Sequence, residues 1–162
     1  MRDLKSIKKP IRKAVMIFVL KDGFFSSSKV LAIKYTTGED KDFYDIPGRL
    51  IDDQIANSVK TAEWDIYEET GIMISNPVYK GNAIIDQPKE NLDIDVYVST
   101  NYEGKIKKYD DHIAEWISCE KLLFSENTYP SIEILRHLAN EQMRLYIKID
   151  ENNKFLEIRE KL

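Results

Sequence analysis

The chain has 162 residues, is 43% hydrophobic and 32% charged, and carries a net charge of −4. That length supports one domain with a substantial core, and the composition excludes wholesale disorder. The lack of a basic excess argues against long nucleic acid as the main partner. The lone Cys119 excludes an intrachain disulfide framework and suits a reducing, cytoplasmic setting.

Positive charges precede the apolar run "AVMIFVL", as in a signal peptide. The run is short, meets Lys21 and Asp22 at once and lacks a small-residue cleavage site, so a buried β-strand is the better reading. No segment approaches the length of a membrane-spanning helix. "RKAVMIFVL" is therefore expected as a strand ending at the Asp22-Gly23 turn, followed by "SSS" and a second strand, "KVLAIKY". "TTGEDKD" reads as a loop and "FYDIP" as a short strand that Pro47 ends. From Ser58 to Thr70 the pattern is helical, with Val59, Ala62 and Ile66 on one face. Asn57 or Ser58 is the expected N-cap, and Gly71 the left-handed C-terminal position.

Farther on, "VYKGNAIID", "LDIDVYVST" and "HIAEWISC" read as strands and "EKLLF" as a short helix. "SIEILRHLANEQMRLY" has an amphipathic helical pattern, with Ile132, Leu135, Leu138 and Met143 near one face. For "YIKIDENNKFLEI" a hairpin around Glu151, Asn152 and Asn153 is favoured over an extension of that helix. Repeats, low-complexity tracts and linkers are absent from the sequence, which reads as one mixed α/β domain.

The chemistry concentrates in the helix at 58–70. Spacings of three and four residues bring Asp65, Glu68 and Glu69 beside one another, where they repel. Glu68 and Glu69 also occupy the last turn, whose negative dipole end opposes them by about 0.3–1 kcal/mol each. A divalent cation would turn that repulsion into ligation, and magnesium, a hard ion that takes oxygen ligands, is the natural candidate. On an arbitrary helix a solvated acidic face would be the simpler reading. Here a Pro-Gly turn precedes the helix and "EETG" ends it.

This segment resembles the signature of the Nudix (MutT-like) hydrolases, G-x5-E-x7-R-E-U-x-E-E-x-G-U with U a bulky aliphatic residue. Ile66, Glu68, Glu69, Gly71 and Ile72 match its second half, and "YDIPG" resembles the strand leading into the family's Pro-Gly-Gly turn. "RKAVMIFVL", "KVLAIKY" and "EWISCEKLL" resemble other family elements in the expected order, so the resemblance runs from about Arg12 to Phe124. The first half of the box departs from the pattern. Arg49 stands where its first glycine would be, and the loop before the helix is one residue longer. No glutamate is found among Gln54, Ile55 and Ala56, Trp64 replaces the arginine, and Asp65 replaces the glutamate beside it. Trp64 would substitute apolar packing for the lost polar brace between loop and helix.

The resemblance implies an α/β/α sandwich with a central mixed β-sheet and the box helix on one face. It implies a single domain over 1–162, to which a C-terminal helix and tail (about 129–162) are an addition. The implied activity is Mg²⁺-dependent hydrolysis of a pyrophosphate bond in a nucleoside diphosphate linked to another moiety, with Mn²⁺ as an alternative metal. Asp65, Glu68, Glu69 and the backbone carbonyl of Arg49 are the implied metal ligands, with Asp52 assisting. Glu69 and Asp65 are the implied catalytic pair. Asp110 and Asp111, in the loop before the late strand, are candidates for the general base, with Glu115 behind them and His112 read as a solvated loop residue. Lys34, Arg49 and Tyr35 are candidate substrate contacts, and Phe43 and Tyr44 candidate stacking partners. The expected partner is a small-molecule nucleotide, with neither long nucleic acid nor a membrane involved. The altered box also supports a second reading, a non-catalytic nucleotide-binding or regulatory domain. A third is an interaction scaffold forming a homodimer through the C-terminal helix and tail.

Overall fold

The structure, a computed structural model, describes residues 9–21, 28–48, 50–51, 58–138 and 142–160. Its centre is β1 (Ile11–Lys21), in which Ala14 to Leu20 are all buried. Successive side chains of a strand point to opposite faces, so a continuous apolar run means a strand covered on both sides. Met16, Phe18 and Leu20 enter one core; Val15, Ile17 and Val19 enter another. Full burial of each such side chain contributes about 1.5–3 kcal/mol, which makes β1 the spine of the fold.

β2 (Lys29–Tyr35) runs antiparallel to β1 and pairs in turn with β3 (Tyr44–Asp45) and with the late strand β9 (His112–Ser118). On its other side β1 pairs in parallel with β7 (Asn91–Ser99), while on the β2 side, earlier along β1, it pairs antiparallel with the short β4 (Leu50–Ile51). β6 (Val78–Asp86) is antiparallel to β7, completing the middle of a mixed sheet. One face carries α1 (Ser58–Thr70), whose Ala62 and Ile66 pack on Val15, Ile17 and Val19. The other face carries α2 (Cys119–Leu123) and a 3-10 helix (Pro130–His137), which supply Leu122, Ile132, Ile134 and Leu135. The result is an α/β/α sandwich. No helix of the described residues is long and apolar enough to cross a membrane.

α1 ends as expected: Gly71 has φ +85°, and a Cβ on it would lie 2.5 Å from the Lys105 carbonyl oxygen. Thr70 ties off the last turn, its hydroxyl donating to the Ile66 carbonyl (2.6 Å) and accepting from the Ile72 N–H (3.1 Å). Asn57 lies outside the described residues, as does the side chain of Ser58. A small second sheet, β5 (Ile72–Ser75) with β8 (Asn101–Gly104), was not foreseen.

The C-terminal third differs from expectation. Ile132, Leu135 and Leu138 are buried on one face, but the helix is a short 3-10 segment ending at His137. Met143 instead opens β10 (Met143–Ile149), where Met143, Leu145, Ile147 and Ile149 are buried in strict alternation. Period two therefore prevails over the helical spacing that grouped Met143 with Ile132. β10 lies parallel to β6 and antiparallel to β11 (Phe155–Glu160), so the tail extends the main sheet instead of lying outside it. The hairpin favoured around Glu151–Asn153 is present. Asp150 organises it by accepting from the N–H groups of Asn152 (2.8 Å) and Lys154 (3.0 Å).

Candidate active site

The site forms where the Pro47-Gly48 turn meets the last turns of α1. Gly48 has φ +76°, and a Cβ there would lie 2.3 Å from Ile66 Cγ1 and 2.9 Å from the Ala62 carbonyl oxygen. Only glycine allows the turn to approach the helix this closely. The approach lets the Gly48 N–H donate to Glu69 Oε1 at 3.0 Å. Glu69 is thereby aimed at the turn and half-buried, while Glu68, one residue earlier, is exposed.

The carboxylates of this region perturb one another. Burial raises the Glu69 carboxyl above its usual range; the Gly48 N–H opposes the rise, and the charges of Asp65 and Asp45 reinforce it. Asp65 is raised too, by burial and then by the charge of Glu68. α1 has no basic residue in its last turn to offset this. Asp45, on β3, is buried, with its carboxylate accepting from the Ile46 N–H (2.8 Å) and the Tyr35 hydroxyl (3.4 Å). Asp45 was missed in the sequence because nothing in "FYDIP" distinguishes a buried aspartate from a turn residue.

His112, read from the sequence as a solvated loop residue, is another member. It is the first residue of β9, and its side chain is only 11% exposed, not solvated as expected. Nε2 lies 2.8 Å from the backbone carbonyl oxygen of Glu69, which can only accept, so Nε2 is the donor. Nδ1 lies 2.8 Å from Asp111 Oδ1, and the ring stacks on Tyr109 at 4.5 Å and 13°. Asp111, itself exposed, is thus tied to the helix end through His112, and Asp110 is exposed as well. The sequence signal was the adjacency of Asp111 and His112 at the start of a strand.

On the far side of Asp45, Tyr35 meets Tyr129 edge-on at 6.5 Å, and Phe43 packs on the same ring at 5.9 Å. Tyr129 donates to Asp40 at 2.6 Å. Lys34 places its ammonium 5.6 Å from the centre of the Tyr44 ring. Burial raises the Tyr44 phenol, and Glu115, through its charge and a hydrogen bond, raises it further. Glu115 is therefore engaged with Tyr44. Trp64 is more exposed than expected of a brace: its ring lies 5.5 Å from that of Tyr67, over an open groove of about 470 Å³ that also includes Met73 and Ile74. Arg49 and Asp52 lie outside the described residues, so neither the Arg49 carbonyl nor its side chain is placed here.

Among the described residues, no group of three or more His, Cys, Asp or Glu side chains is arranged to hold a metal ion unaided. That excludes an all-protein cage built from them. Carboxylates raised by their neighbours' charge, Asp65 by Glu68 and Glu69 by Asp65 after burial in each case, are the chemistry a hard divalent cation relieves.

Neither a protein-family model nor a curated protein sequence matches the chain. Solved structures do. A MutT protein from Bacillus halodurans is 17% identical with a TM-score of 0.70, covering 93% of this chain and 97% of its own. A MutT Nudix hydrolase from Burkholderia pseudomallei is 16% identical with a TM-score of 0.63, covering 82% of this chain and 100% of its own. The Nudix domain of Shewanella oneidensis NrtR, solved with ADP ribose, is 12% identical with a TM-score of 0.61, covering 85% of this chain and 91% of its own. The chain has the Nudix α/β/α fold.

Proposed function

We propose that this Nudix-fold protein is a Nudix-type pyrophosphohydrolase: it hydrolyses the pyrophosphate bond of a nucleoside diphosphate linked to another moiety, in a Mg²⁺-dependent reaction. The observation that carries the proposal is the arrangement of Glu69. A half-buried carboxylate is held by the Gly48 N–H among other carboxylates, at a helix end with no basic residue. Stability alone disfavours that arrangement. Function is the reason to retain it.

Glu69, with Glu68 or Asp65 as a second carboxylate, would hold the metal, with water and substrate phosphates completing its shell. Bound there, the cation supplies charge neutralisation for the phosphate oxygens and acidifies a coordinated water. The chain's own groups do the remaining work. Gly48 fixes the Glu69 carboxylate, and His112 fixes the backbone of the same residue from the opposite side. Asp111, oriented by His112, is the candidate to accept the proton of the attacking water, with exposed Asp110 behind it. Lys34 is assigned to the phosphates and Tyr35, anchored on Asp45, to the base. Arg49 is assigned to the phosphates as well.

One observation favours binding without turnover as the second reading. Asp65 is a methylene shorter than glutamate, and misplacement of a catalytic group by a fraction of a bond is costly. A panel of nucleoside diphosphate derivatives (ADP-ribose, nucleotide sugars, dinucleoside polyphosphates, oxidised nucleotides) incubated with Mg²⁺ or Mn²⁺ separates the two. Metal-dependent cleavage that Glu69→Gln abolishes supports the hydrolase. Nucleotide binding with no cleavage across the panel supports the second reading, and equal cleavage by the variant overturns the site assignment.

A further inference from the structure

β11 is the last strand of the main sheet, and β10 is its only neighbour among the described strands. All six of its residues are exposed. Three of them are apolar: Phe155 is 46% exposed, Leu156 59% and Ile158 39%. The register sets Ile158 beside Ile147 and Phe155 beside Ile149, and both partners are buried. Phe155 and Ile158 therefore continue the sheet's core-facing side past the point where helices cover it. Phe155 also lines a groove of about 330 Å³ with Leu123, Tyr129 and Ile132.

Proteins commonly guard a free sheet edge with lysines or proline, which repel any incoming strand. β11 has neither. Its charges at 157 and 159 are of opposite sign: Arg159 lies 3.6 Å from Glu157 of the same strand, and its guanidinium lies 4.7 Å from the centre of the Tyr146 ring. Opposite signs two residues apart make the strand complementary to itself. In an antiparallel pair related by a two-fold axis normal to the sheet, opposed residues share a face. With the axis at residue 157, Glu157 meets Glu157; with it at 159, Arg159 meets Arg159. Like charges directly opposite are destabilising. With the axis at Ile158, the two Ile158 side chains meet on the core-facing side, and each Glu157 meets an Arg159 on the other side. The five N–H donors of a guanidinium suffice for both carboxylates.

We propose that β11 is an interface for a second copy of this chain, paired antiparallel about Ile158 into one sheet spanning both protomers. The two-fold closes the assembly at two chains. An interface centred on one six-residue strand is small, so the dimer exchanges with monomer as concentration falls.

Sedimentation velocity across a concentration series, on the full chain, tests this. The wild type should rise toward twice its 18.9 kDa mass. Arg159→Glu, which sets carboxylates opposite each other, should remain monomeric. The double exchange Glu157→Arg with Arg159→Glu restores opposite signs and should restore the dimer. Because the changed side chains are exposed, circular dichroism of every variant should match the wild type. A wild type that stays monomeric, one that grows beyond two chains, a dimer indifferent to Arg159→Glu, or a double exchange that fails to recover it would each overturn the proposal.

Discussion

Replacing Glu69 by Gln should stabilise the metal-free protein while removing its activity. Gln keeps an Oε1 to accept from the Gly48 N–H, so the turn stays docked on α1. What it removes is a charge in the last turn of a helix with no basic residue there, a term of about 0.3–1 kcal/mol. For a chain of this size that corresponds to a melting temperature about 1–4 °C higher. The pH dependence has a defined sign. The folded carboxyl titrates above its ordinary value of 4.5, chiefly because burial disfavours the charged form. A raised carboxyl favours folding below the unfolded value and loses that contribution as pH rises through the folded one. The advantage of Gln should thus be present at neutral pH and vanish below about pH 4, where Glu69 is protonated in both states. Melts of both proteins with EDTA from acid to neutral pH measure it. A variant less stable than wild type at neutral pH, or an advantage independent of pH, would refute the reasoning.

Asp86 should behave in the opposite way. Burial works to raise its carboxyl, but hydrogen bonds from Lys9 and Tyr146 and the nearby lysine charges outweigh burial and lower it. Its stabilisation is present above the ordinary carboxylate value and is lost as pH falls through the depressed one, so Asp86→Asn should cost about 1–3 kcal/mol at neutral pH. Urea denaturation should show that cost shrinking toward zero in strong acid. Gly81→Ala should cost more than about 3 kcal/mol, because at φ +136° the new Cβ would lie 2.1 Å from the Met143 carbonyl oxygen and part β6 from β10; a loss under 1 kcal/mol on the same assay would contradict that packing. His112→Ala, which frees both Asp111 and the Glu69 backbone, should lower kcat about 10²-fold or more with little change in KM. Lys34→Ala should do the reverse, raising KM more than it lowers kcat.

The elements legible in the sequence were those whose periodicity served one local purpose. β1 read as a strand because both its faces are buried, and α1 because Ala62 and Ile66 repeat at helical spacing and Gly71 ends it. Met143 was misassigned because its helical spacing from Ile132 coexists with the strand alternation Met143, Leu145, Ile147. Only the parallel partner β6, some sixty residues away, decides between them. Of the candidate site, the carboxylates of α1 were legible because their cost is local to one helix. Asp45 and His112 were not: each acquires meaning from a residue distant in sequence, Asp45 through its field on Glu69 and His112 through the Glu69 carbonyl. Trp64 was read as a brace from the box pattern, yet its surroundings are set by Tyr67 and Met73 on the outer side of α1.

The most direct test of the hydrolase proposal is the fate of the oxygen atom from water. With Mg²⁺ present in H₂¹⁸O, the wild type should convert a nucleoside diphosphate derivative to products bearing ¹⁸O on a phosphate, read as an isotope shift in the ³¹P spectrum. EDTA and Glu69→Gln should each abolish that signal. Turnover that persists in either case, or label found on carbon instead of phosphorus, would contradict the account.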